Sequence, residues 1–158
     1  MLYKLGTTVG YYMDPLNFYD KLYQSKEFCE QLGRILLGFN KLEVFLKDFL
    51  RSKSFQVSEM ETFGQLIGKL EGGRFLSESG QIHFQQLLRV RNYLTHNFYA
   101  GFCGQLDNKK KLLESDDLSD MDAEVFESKL KQEEENIESY IVAVKRALFD
   151  PENSLKLL

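Results

Sequence analysis

One stretch restricts the possible folds of this chain more than any other. In SKEFCEQLGRILLGFNKLEVFLKDFLRSK, residues 25–53, Phe28, Leu32, Ile35, Phe39, Leu42, Leu46 and Phe49 recur at alternating steps of four and three. A helix repeats every 3.6 residues, so this spacing gathers all seven on one stripe, whereas a strand would scatter them over both faces. A long amphipathic helix follows, and its single apolar stripe must be buried against other elements.

The neighbouring segments supply those elements. Asp14 and Pro15 read as N-cap and first helical residue of a short helix to about Gln24. Thr62 can cap a helix carrying Phe63, Leu66, Ile67 and Leu70, with Gly72-Gly73 offering the left-handed backbone that ends helices. From Ser77 to Tyr99 the pattern is helical again, with Phe84, Leu87, Val90, Leu94 and Phe98 on one side and Gly101 and Gly104 after it. Residues 105–120, QLDNKKKLLESDDLSD, have few apolar anchors and read as a mobile charged loop. Ser119 or Asp120 then caps a last helix to about Phe149, with Phe126, Leu130, Ile137, Ile141, Val144 and Leu148 inward and EEEN on the solvated side. The prediction is a single all-α domain over residues 1–158, an up-and-down bundle of four to five helices.

Charge and composition narrow the function classes. A net charge of −4 argues against coating of nucleic acid by bulk electrostatics; DNA binding is not expected, and any RNA contact must be local. Cys29 and Cys103 have no CxxC spacing and read as reduced, partly buried thiols of a reducing compartment. The opening MLYKLGTTVGYYMD lacks an apolar secretion core, and no stretch reaches the ~20 apolar residues of a membrane span. A cytoplasmic protein with no membrane association is expected.

Few metal or cofactor motifs compete. GGRF lacks the Lys and Ser/Thr of a P-loop, no HExxH occurs, and two His with two scattered Cys make no zinc site, so neither a metal nor a cofactor is expected. Glu133, Glu134 and Glu135 are consecutive and would point in different directions around a helix, which reads as a solvated face. Lys109, Lys110 and Lys111 read as a charged loop.

The fourth helix is different. At ~100° per residue, Gln85, Arg89, Asn92, His96 and Tyr99 fall within about 80° of one another and form a polar stripe, bordered by Tyr93. Its residue types suit phosphate and base contacts better than the Glu and Lys of an ordinary solvated face. Arg91 instead lies between Phe84, Phe98 and Leu88, at the margin of the apolar arc. A guanidinium there must snorkel, find an acid or enter a second subunit. Glu43 on the long helix is the first candidate for a structural partner, and Asp48 the second. His83 lies roughly 20 Å from His96 along the helix and falls with the apolar face, so it reads as a core or edge histidine.

Arg91-Asn92-Tyr93-Leu94-Thr95-His96 fits the R-x4-6-H signature of HEPN domains (higher eukaryotes and prokaryotes nucleotide-binding), including a polar residue directly after the Arg. FNKLEVFLKDFL and TFGQLIGKL also look like the helices that precede that motif, so the resemblance spans residues 26 to 100 in pattern. It implies a four- or five-helix bundle that forms a homodimer with the two motifs facing across a cleft. Many members are metal-independent endoribonucleases in toxin-antitoxin, phage-defence or RNA-processing systems; others are non-catalytic binding or dimerisation modules. In toxins paired with nucleotidyltransferase antitoxins the motif often reads R-x4-H-x-Y. Here Asn97 and Phe98 follow His96 and Tyr99 stands one position late, which weakens that partnership without touching Arg91 and His96.

In such a site His96 would move the proton of the ribose 2′-OH or of the departing 5′-oxygen, and Arg91 would bind the phosphoryl oxygens as charge develops. Asn92 would orient phosphate or base, with Arg89 and Tyr99 as further substrate contacts. A dimer would bring two His96 side chains to one cleft, supplying both acid and base. The competing readings are a non-catalytic HEPN-like dimer that binds RNA, a nucleotide or a protein, and a plain helical interaction adaptor.

Overall fold

The computed structural model describes residues 15–97 and 123–149, and the side chains of 19–96 and 127–146. These residues form five α-helices, α1 (Pro15–Gln24), α2 (Lys26–Ser52), α3 (Phe63–Gly72), α4 (Glu78–Asn92) and α5 (Ala123–Phe149), with a π turn, Tyr93–Asn97, continuing α4. The chain is all-α, and no strand occurs among the described residues. No helix among them is long and apolar enough to cross a membrane. The segment 1–13, the charged stretch 105–120 and the cap expected at Ser119 or Asp120 lie outside the described residues, as do Phe98, Tyr99 and Cys103.

The stripe of α2 is the core of the molecule. Phe28, Ile35, Phe39, Leu42, Leu46 and Phe49 are all buried, and Leu32 packs at the edge. Each such side chain stabilises the fold by roughly 1.5–3 kcal/mol through apolar area removed from water. Ser25 caps the helix, its hydroxyl accepting from Phe28 N at 3.2 Å. The cap of α3 is a full capping box: Thr62 Oγ1 accepts from Gln65 N at 3.3 Å while Gln65 Oε1 accepts from Thr62 N at 2.8 Å. Phe63, Leu66, Ile67 and Leu70 close over α2.

Three expectations are corrected. The first concerns topology, because neighbouring helices are not simply antiparallel. After α2 the chain doubles back beside it, with Lys47 Nζ donating to Glu59 O at 2.7 Å and Arg51 to Val57 O at 3.3 Å. Consequently α3 begins at the middle of α2, where Phe63 meets Phe39 at 5.8 Å, and the chain after it reaches Phe49 through Phe75 at 5.3 Å. The two helices run in the same sense. So do α2 and α5, which share the largest interface: Gln31 meets Glu134, Gly38 faces Ile137 and Phe45 lies under Lys145, so positions rise together. Helix α4 runs against α3, with Gln85 bound to Glu71 and Leu88 beside Gly64.

The second correction is at the end of α3. Gly73 is right-handed at φ −78, and the left-handed residue is Arg74 at φ 58. What requires glycine at 73 is space, because a Cβ there would run into the Phe75 ring. The end of α2 is built alike: Ser54 is left-handed at φ 66, and Phe55 N donates to Leu50 O at 3.0 Å as Phe75 N does to Leu70 O at 3.0 Å. Both are Schellman ends, each followed by a Phe that turns back on the core. The two rings meet edge to face at 5.6 Å.

The third correction concerns α5. Glu133 is not on a solvated face; it is 3 % exposed and paired with Lys129 at 3.3 Å, with Asn136 Nδ2 donating to it at 3.2 Å. The reason is spacing, since Leu130, Glu133 and Ile137 share one stripe. Glu134 faces α2, accepting from Gln31 at 2.6 Å and pairing with Arg34 at 3.0 Å. Glu135 is exposed, as expected.

Candidate functional site

The polar stripe of α4 lies where the helix leaves the core. Its buried residues are Gly80, Phe84, Leu87 and Val90, and the π turn adds Tyr93 at 1 % exposure. Tyr93 is therefore a core residue and not the border of the polar stripe. It joins the same buried cluster as Phe84, Leu87 and Val90. Burial pushes the Tyr93 hydroxyl up to about 12, with Tyr19 nearby as the smaller cause. Leu94, expected inside, is only half-buried.

Five residues, Tyr93–Asn97, take π geometry, whose i to i+5 bonding breaks the rotation of 100° per residue assumed for the stripe. Thr95 Oγ1 donates to Arg91 O at 2.9 Å, satisfying a carbonyl at this change of register. Such π turns inside helices recur at functional positions.

Arg91 is half-buried, and its Nη2 stands 3.8 Å from Glu43 Oε1 on α2. Glu43 Oε1 is buried and has no hydrogen bond, so the two charges are held close without being bonded. Asp48, the other acid considered, pairs with Arg51 at 3.4 Å. Asn92 is half-buried, Arg89 is exposed, and Gln85 is committed to Glu71 at 2.9 Å. Tyr99 lies outside the described residues. His83 is exposed, its ring 6.1 Å from that of Tyr140, because it sits one position off the buried arc that Phe84 occupies.

His96 is exposed and lines a cavity of about 440 Å³. Leu94 and Thr95 line it from the same turn, Phe28, Cys29 and Leu32 from the start of α2, and Tyr19, Asp20, Leu22 and Tyr23 from α1. Arg91 does not contribute to it, so within one chain the two motif residues face different surroundings. The contribution of α1 was missed by sequence reasoning, although Tyr19 and Tyr23 at i and i+4 are a signal for one aromatic face. Cys29 is exposed rather than partly buried, and its thiol donates to Leu22 O at 3.5 Å. Among the described residues no group of three or more His, Cys, Asp or Glu is placed to hold a metal ion.

No family model, curated protein or solved structure matches this chain.

Proposed function

We propose that the chain is a metal-independent endoribonuclease of HEPN type, acting as a homodimer on RNA in the cytoplasm, in a toxin, phage-defence or RNA-processing role. The observation that carries this reading is the contrast within one helix end. Arg91 is half-buried beside Glu43, whereas His96 is solvent-exposed on a π turn and lines a cavity. A cation held in place and an imidazole open to substrate are the two parts that phosphodiester cleavage by the ribose needs.

In this reading the 2′-oxygen attacks the adjacent phosphorus while one imidazole takes its proton. The bond to the 5′-oxygen breaks, that oxygen receives a proton from a second imidazole, and a 2′,3′-cyclic phosphate is left. Each chain supplies one His96, so the dimer supplies the base and the acid. Arg91, close to Glu43 but not bonded to it, offers its planar donors to the phosphoryl oxygens as their charge grows. Asn92, with Arg89 and Tyr99, holds substrate. An antitoxin, including one of the nucleotidyltransferase class, is a further partner that a toxin role would imply.

The alternative is a non-catalytic HEPN-like dimer that binds RNA, a nucleotide or a partner protein. It is favoured by the same Arg91–Glu43 pairing taken as permanent. Cleavage of a mixed RNA pool in EDTA separates the two. Arg91→Ala and His96→Ala are each expected to reduce cutting at least about 100-fold, the scale of lost acid-base help, while circular dichroism and sedimentation show an unchanged folded dimer. Absence of cutting in all three proteins selects the binding module. Equal cutting in all three identifies a contaminating nuclease.

A further inference from the structure

We propose that the cavity beside His96 seats one unstacked nucleobase and selects guanine through Asp20. The inference rests on the ribonuclease reading and names the base next to the bond that is cut.

The walls argue for a flat, neutral group. Tyr19 and Tyr23 stand one helical turn apart on α1, Tyr23 is 85 % exposed, and the buried Phe28 lines the same cavity. Aromatic sides of this kind hold a base by stacking, which is how single-stranded RNA is recognised once its bases are splayed out. The volume of about 440 Å³ lies in the lower part of the range that holds small organic ligands and suits one nucleotide rather than a base pair.

Charge then decides which part of the nucleotide enters and which base it is. Among the described residues no Lys or Arg lines the cavity and Asp20 is the only carboxylate, so a phosphate is disfavoured beside Asp20 and belongs with His96. An ionised carboxylate only accepts hydrogen bonds. Guanine presents two adjacent donors, N1–H and the N2 amino group, matched to the two carboxylate oxygens. Adenine and cytosine place an acceptor nitrogen beside their one amino donor, and uracil flanks a single N–H with two carbonyls. Only guanine meets Asp20 with two bonds and no repulsion.

The test is calorimetric titration of the full chain with the four nucleoside 3′-monophosphates, together with mapping of cut sites in the RNA pool. The guanosine nucleotide is expected to bind at least about 10-fold more tightly than the others, the discrimination typical of one bidentate contact. Asp20→Ala is expected to erase that ratio, and Tyr23→Ser to weaken all four nucleotides together. Both residues are exposed on α1, so thermal melts should report a folded protein. Equal affinities, no binding, or a guanosine preference that survives Asp20→Ala would overturn the proposal. Selective guanosine binding with an uncut RNA pool keeps the base site and removes the ribonuclease reading. Cutting that depends on His96 but shows no base preference keeps the ribonuclease reading and removes the base site.

Discussion

Glu43 and Arg91 are closer to a constraint than to a bond. At 3.8 Å the attraction is real, yet Glu43 Oε1 is buried without a donor, so the carboxylate relies on the nearby cation for its stability. Removing the guanidinium leaves that charge stranded. Arg91→Ala is expected to cost about 1–3 kcal/mol, and the double variant Glu43→Ala/Arg91→Ala less than the sum of the two single ones, by urea unfolding. The double variant also separates lost stability from lost cleavage. A charge at the margin of an apolar arc demands an acid, and that demand was legible from the spacing of α4 alone. The wheel already set Arg91 at the apolar margin and His96 on the polar stripe; what it could not reveal is the cavity beside His96, because most of its walls come from α1 and α2. Glu133 departs from the expected solvated face for a plainer reason: consecutive residues do point in different directions, and the step between Leu130 and Ile137 turns this one inward.

Helices α2 and α3 end in the same way, and both ends carry a residue poorly suited to it. Ser54 and Arg74 hold positive φ, where a side chain crowds its own backbone at a cost of roughly 1–2 kcal/mol. Glycine at either place is expected to raise stability by about 0.5–1 kcal/mol, read as an upward shift of the thermal midpoint. The gain should appear for Ser54→Gly and Arg74→Gly separately, since each Schellman end is closed by its own Phe. At this scale most of the helices were legible, because the four-and-three spacing and the cap at Thr62 act locally. The return path between α2 and α3 was not, since its course is set by bonds from Lys47 and Arg51 to backbone carbonyls of a segment with no periodicity.

For the molecule as a whole, Tyr93 links stability to alkaline pH. Its hydroxyl ionises near 10 in an unfolded chain and at about 12 in the folded one, where burial opposes the charge. The stability this group contributes is therefore fully present below pH 10 and is lost as pH rises from 10 towards 12, by about 2–3 kcal/mol. Urea midpoints at pH 8, 10 and 11 should fall for the native chain and fall less for Tyr93→Phe. The all-α class was legible in the sequence, but the shared direction of α2, α3 and α5 was not, since periodicity says which face is buried and nothing of what it meets. That shared direction also sets the order of events during folding. The largest interface joins residues such as Gln31 and Glu134, 103 positions apart, so most of the chain must be gathered into one closed loop before α2 and α5 can dock. Among the described helices, the docking of α2 on α5 thus adds one distant step, with its own loop-closure cost, to a fold otherwise made of local contacts.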